Sequence, residues 1–175
     1  MKGVEVLFLH GSPGSGKSTQ ARAISELLRE ARLAHAVIDP DDLSIVYPFP
    51  GTSFIYDNIA AVWPNYTAVA TPLKVVIPTV FNDEEDMGRL RAIVPAETYL
   101  VCELTAPIAV LKERVTAREP NDLWQTHLRG LVDLYHRRTD LPRIVDFEVS
   151  TDDRPVDDTA REILDRAGWV PRAAG

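Results

Sequence analysis

Apolar residues along this chain follow two rhythms: short unbroken runs, and longer stretches where they recur every third or fourth position. Residues 4–9 (VEVLFL) predict a short buried strand, ended abruptly by His10-Gly11-Ser12-Pro13-Gly14. Beyond those glycines Ala21, Ile24, Leu27 and Leu28 share one helical face and predict a helix. Further strands are predicted over 36–39, closed by Pro40, over 74–81 (KVVIPTVF), over 97–104 and over 144–149. Pro78 inside the 74–81 strand calls for a bulge or an unpaired position. Helices are predicted over 84–93, with Asp83 as cap, and from Pro107 as first helical residue to about Ala117, with Val110, Leu111 and Val115 as the apolar stripe. A longer amphipathic helix carries Trp124, His127, Leu128, Leu131, Leu134 and Tyr135, with His127 read as a core histidine. The last helix starts near Pro155, with Asp157 and Asp158 in its first turn, and stops at Gly168. Residues 40–72, rich in proline and aromatic side chains, read as a long irregular insertion.

Strands alternating with helices imply crossovers, hence an α/β fold with a parallel sheet covered on both faces. At 175 residues and 45% hydrophobic composition the chain can bury one sizeable core, so residues 1–175 are expected to form a single domain. A net charge of -7 argues against a surface that coats nucleic acid. No apolar run approaches the roughly 20 residues needed to cross a bilayer, so no membrane partner is expected and the protein reads as soluble and cytoplasmic. Cys102 is the only cysteine, which excludes an intrachain disulfide and a thiolate-rich zinc site. The four histidines show no metal-ligand spacing.

Candidate chemistry concentrates at the end of the first strand. Gly11-Ser12-Pro13-Gly14-Ser15-Gly16-Lys17-Ser18 fits G-x-x-x-x-G-K-[ST] at every fixed position, between a predicted strand and a predicted helix. The glycines allow successive backbone N–H groups to turn inward around a β-phosphate, and the helix start adds its dipole. Lys17 would bridge β- and γ-phosphates, Ser18 would ligate Mg²⁺, and Thr19 belongs to the same helix start. Asp39 lies at the carboxyl end of the second strand, where open parallel sheets bind ligands. A carboxylate there can orient an acceptor hydroxyl and take its proton, with Asp41 beside it binding acceptor or metal. The same residues would also build an Asx turn ahead of a cap.

A phosphate loop after the first strand and Asp39-Pro40-Asp41 after the second resemble the small P-loop kinases that act on metabolites, such as the shikimate, gluconate, adenylyl-sulfate and chloramphenicol kinases. The resemblance implies a three-layer P-loop NTPase fold, with a five-stranded parallel sheet in the order 2-3-1-4-5. It also implies an acceptor-binding insertion over about 40–72, a helical lid over about 114–140, and ATP with Mg²⁺. Leu111, Arg114 and Arg118 are similar to the L-x-x-R-x-x-x-R that opens the lid in such kinases. There the first arginine stacks on adenine and the second reaches the phosphates, where Arg118 would stabilise transferring charge. A solvated helix face with Glu113 and Glu119 as partners is the competing reading. By the same resemblance Thr151 would flank the base. One departure is that no aspartate ends the third strand, since Asp83 comes two residues too late to support the metal.

The implied activity is transfer of the γ-phosphate of ATP to a hydroxyl of a metabolite, nucleoside or antibiotic. A nucleoside monophosphate kinase and an ATP-binding switch are the alternatives. The insertion holds Tyr47, Phe49, Phe54, Tyr56, Trp63 and Tyr66, a density that suits stacking on an apolar body or packing onto the domain. Between Arg32 and Arg89 there is no arginine, although a phosphorylated acceptor is normally clamped by several. Asp41, Tyr56, Trp63 and Arg89 are the candidate acceptor contacts. The oligomeric state stays open.

Overall fold

A computed structural model of the chain describes residues 1–169. Five strands, β1 (Val4–His10), β2 (His35–Val37), β3 (Leu73–Pro78), β4 (Thr98–Thr105) and β5 (Phe147–Ser150), form one parallel sheet in the order β2-β3-β1-β4-β5. The order is the one implied by the resemblance, and it places β1 at the centre between β3 and β4.

Alternation along the strands decides which face each side chain serves. Val4, Val6 and Phe8 of β1 join Val75 and Ile77 of β3 in one buried cluster. Leu7 and Leu9 join Val76, Cys102 and Leu104 in the other. The first face is covered by α2 (Thr52–Thr67) and α3 (Glu84–Ile93), and the second by α1 (Lys17–Glu30) and α7 (Val156–Arg166). Burying an aliphatic side chain of this kind is worth about 1.5–3 kcal/mol each, so a sheet sealed on both faces carries much of the folding energy. α4 (Ile108–Arg118) and α5 (Asp122–Tyr135) pack on each other through Leu111, Val115 and Val132 as a separate helical hairpin. A four-residue helix, α6 (Leu141–Ile144), leads back to β5.

Several expectations are corrected. Residues 40–72 are not irregular throughout, because α2 occupies sixteen of them. Its buried side chains Tyr56, Ile59 and Trp63 lie at helical spacing, and Pro64 is tolerated near its carboxyl end. Of the two alternatives expected at Pro78 the bulge drops out, since Pro78, which has no N–H to pair, is the last residue of β3 and the next N–H, that of Thr79, resumes bonding to Leu9 O at 2.9 Å. Ile144 belongs to α6, so β5 starts only at Phe147. Pro107 caps α4 instead of opening it. His127 is exposed, edge-on to an equally exposed Trp124, because α5 needs only its Leu128, Val132 and Tyr135 side to meet the domain.

Burial also dictates the state of His10, the last residue of β1. Its ring is fully buried between Phe81 and Tyr135, and Nδ1 accepts from Phe81 N at 3.2 Å. Nε2 then carries the proton and has no hydrogen-bond partner. Burial, reinforced by the nearby Arg138 and Lys17 cations and only partly offset by Asp140, pushes its pKa down to about 3. A histidine depressed in the folded state holds fewer protons than the unfolded chain between its two pKa values. Stability is therefore lost as pH falls from about 6.5 towards 3. Glu103 and Asp39, both raised by burial, contribute with the opposite sign. We expect His10→Asn, which keeps an acceptor for Phe81 N, to flatten this acid limb by a few kcal/mol in denaturant titrations at pH 7 and pH 4. An unchanged slope would show that His10 does not titrate across folding.

Candidate active site

The carboxyl ends of β1, β2 and β3 open onto a cavity of about 320 Å³ whose rim is the loop between β1 and α1. Backbone shape explains the glycines. Gly11 and Gly14 have φ of 144° and 82°, and a Cβ on either would sit 2.7 Å from Leu104 O or 2.6 Å from Leu111 O. Gly14→Ala must therefore push the loop off α4. The expected outcome is a loss of about 1–3 kcal/mol in thermal unfolding, with weaker Mg-ATP binding by calorimetry. A variant as stable as the parent would mean that the loop tolerates displacement.

Within the loop the Lys17 ammonium donates to Gly11 O at 2.8 Å and Ser12 O at 3.1 Å, folded over the cradle it would share with phosphates. Burial pushes its pKa down to about 8, against the nearby carboxylates of Asp41 and Asp39, which pull it up. The hydroxyls of Ser12 and Ser15 are buried and have no hydrogen-bond partner among the described residues. A triphosphate supplies acceptors for these donors, so the residues fit the implied nucleotide. Ser18 Oγ donates to Asp39 Oδ2 at 2.8 Å, joining the helix start to the end of β2. Ser18 is the group that would hold Mg²⁺. Among the described residues no cluster of three His, Cys, Asp or Glu side chains is placed to bind a metal by itself. Asp83 is instead the cap of α3, accepting from Asp86 N at 2.8 Å.

Asp39 forms the Asx turn expected of it and also faces the phosphate loop. Its Oδ1 accepts from Asp41 N at 3.1 Å, which is the Asx turn, while its Oδ2 faces Ser18. Burial raises its pKa, and the Ser18 hydrogen bond opposes that shift. Asp41 lines the cavity, as do Pro13, Gly14, Gly16, Thr19 and Tyr56. Arg114 donates to Thr151 Oγ1 at 2.9 Å, to Thr151 O at 2.8 Å and to Gly14 O at 3.4 Å, tying α4 to the loop after β5. Arg118 remains exposed, paired to Glu119 at 2.9 Å, and borders both the first cavity and a second of about 310 Å³. That second cavity also includes Arg114, Thr151 and Ser15.

Two candidate acceptor contacts fall outside the cavity lining. Trp63 is buried in the sheet-facing core of α2, and Arg89 sits over the Tyr56 ring at 4.2 Å. The pattern had hidden another group. Asp86 lines the cavity and accepts from Tyr56 Oη through Oδ1, and from Asn82 N and Asn82 Nδ2, both at 3.0 Å, through Oδ2. In sequence it is one of three acidic residues in a first helical turn, which the helix dipole already accounts for. Glu103 was legible only as a lone charge inside an apolar strand. It accepts from Tyr135 Oη at 2.7 Å, anchoring α5 to β4. Arg138 completes that anchor by donating to Asp140 and to Phe81 O.

No family model and no curated protein sequence matches the chain. Among solved structures it is similar to the Mycobacterium tuberculosis APS kinase CysC in complex with AMPPNP and APS, with a TM-score of 0.67 and 19% identity over 96% of this chain and 99% of that one. A gluconokinase from Sinorhizobium meliloti gives 0.64 and 20%, over 97% and 93% of the two chains. Chaetomium thermophilum Kti12 in complex with ADP-AlF3 gives 0.62 and 21%, over 93% and 97%. Sheet order, phosphate loop and near-complete overlap together give the chain the fold of the P-loop small-molecule kinases.

Proposed function

We propose that the protein is an ATP-dependent phosphotransferase that moves the γ-phosphate to a hydroxyl of a small molecule. The observation that carries the reading is the Ser18–Asp39 hydrogen bond of 2.8 Å, which sets a half-buried carboxylate between the phosphate loop and the cavity beside it. Asp39 takes the proton of the acceptor hydroxyl, whose oxygen forms a new bond to the γ-phosphorus as the bond to the ADP oxygen breaks. The products are the phosphate ester, ADP and a proton. Mg²⁺, held through Ser18, neutralises charge on the phosphates when bound. Lys17 meets the β- and γ-phosphates, and Arg118 swings from Glu119 towards the transferring group. Arg114 and Thr151 frame the base in the second cavity.

A nucleoside monophosphate kinase loses support, because Arg89 and Arg91, the arginines that could clamp an acceptor phosphate, do not line the cavity. Arg89 lies over Tyr56, and Arg91 lies over Tyr99 at 5.1 Å. The test is ADP release with Mg-ATP and a panel of nucleosides, sugars and antibiotics. Acceptor-dependent turnover supports the reading. ATP binding with no turnover across the panel, together with nucleotide-dependent capture of a protein partner, would overturn it in favour of a switch.

A further inference from the structure

Towards α2 and α3 the cavity beside the phosphate loop presents three polar groups tied to one another: Tyr56, Asn82 and Asp86. Tyr56 has given its hydroxyl hydrogen to Asp86 Oδ1, so the phenol oxygen can offer only lone pairs to a ligand. Asn82 directs both its backbone N–H and its side-chain Nδ2 at Asp86 Oδ2, which fixes the amide orientation and leaves Oδ1 as an acceptor. Asp41 lines the same space with a carboxylate. The remaining lining towards α2 and α3 is apolar and includes Ile55, Ile59 and Leu90.

Among the described residues no lysine or arginine lines the cavity towards α2 and α3. Of the basic residues lining it, Lys17 faces the phosphate loop and Arg118 borders the nucleotide side. Arg89 lies over the Tyr56 ring outside the lining, and Arg138 is held by Asp140 and Phe81 O. An anionic acceptor would meet the Asp41 and Asp86 carboxylates with no bidentate arginine in the lining beside them, at a cost that rises as the cavity closes. A ligand presenting donors satisfies the same groups.

We infer that the acceptor is a hydroxyl compound with an apolar body that carries hydrogen-bond donors and no negative charge, a protonated amine being preferred, and that Asp86, with Tyr56 and Asn82 locked to it, reads those donors. The inference rests on the phosphotransfer reading and narrows its substrate class. Asp86 acts here as a specificity-determining residue: its carboxylate holds the orientation of the two neighbours and attracts the cation directly.

Three probes of matched size and ring test it: phenylserinol, which carries an amine, phenylglycerol, which is neutral, and phenylglycerate, which carries a carboxylate. Each is titrated into the protein saturated with Mg-AMPPNP, and the side-chain amide signals of Asn82 are followed by NMR. The expected order of affinity is amine, then neutral, then acid, with at least about tenfold between the first and last, the size of one charge-assisted hydrogen bond. Asp86→Asn should reduce that ratio to below about threefold while Mg-AMPPNP affinity stays unchanged. Glu84→Gln, an exposed change in the same helical turn, should leave the ratio intact. Equal affinities, a preference for the acid, no response of Asn82 to any probe, or an unaltered ratio in Asp86→Asn would each overturn the inference. Because the readout is acceptor binding, those results leave phosphotransfer itself standing. Failure of Mg-AMPPNP to bind would bring down both.

Discussion

Lys17→Ala is expected to lower kcat/KM for Mg-ATP by about 10³-fold or more and to weaken Mg-ATP binding in calorimetry, while the fold is retained. The ammonium sits over the carbonyls of Gly11 and Ser12, and among the described residues no other lysine or arginine donates to those two carbonyls. A single preorganised donor aimed at developing charge is worth about 10²–10³-fold, and this one also carries a full charge into a partly dry site. The free protein holds Lys17 near its titration point, because burial opposes the charge. Phosphates reverse that balance, so charge and ligand reinforce each other on binding. Removing the side chain relieves a buried charge in the free state, and the variant should unfold at the same or a higher temperature. Unchanged turnover would mean that the loop does not grip a triphosphate.

Asp39→Asn separates binding from chemistry. The amide keeps an oxygen for Ser18 Oγ or for Asp41 N, so the variant should fold and bind Mg-ATP within about threefold of the parent. It cannot take a proton, and phosphoryl transfer should fall about 10²–10⁴-fold, the range for loss of a general base. Single-turnover rates with a saturating acceptor give the chemical step, and calorimetry gives the binding. A variant that transfers phosphate at the parental rate would remove Asp39 from the reaction. A protein that acts as a switch would show no such split, since nothing in its cycle needs an acceptor base.

Much of the fold was legible because its signals are local. The apolar runs around Val6, Val76 and Val101 are too short for helices and too continuous for half-exposed strands, which leaves a buried parallel sheet as the solution. The phosphate loop was legible for a similar reason, since Gly11 and Gly14 answer a steric demand made by a backbone carbonyl nearby and Gly16 a φ of 90°. What stayed hidden required tertiary contact. α2 was masked by Pro64 and by prolines on either side of it, although Tyr56, Ile59 and Trp63 were already spaced as one helical face. Trp63 was read as a pocket wall because aromatic density does not distinguish the side of a helix that meets the sheet from the side that meets a ligand. His127 was misplaced for the converse reason: a stripe of apolar residues on α5 is wider than the surface it covers, leaving Leu123, Trp124 and Leu134 in solvent. The Asp86 wall was invisible because its three members lie on different elements, with thirty residues between Tyr56 and its partner.

The position of Cys102 has a practical consequence. It is the chain's only thiol, it lies in the middle of β4 with no exposed surface, and burial pushes its pKa up, away from the reactive thiolate. Maleimide dyes should therefore ignore it in the folded protein, and cysteines introduced at exposed Trp124 on α5 and exposed Tyr47 before α2 can carry a donor–acceptor pair in the otherwise native background. Single-molecule energy transfer between those two points would then report, molecule by molecule, how far the helical hairpin and the insertion approach each other as nucleotide and acceptor arrive.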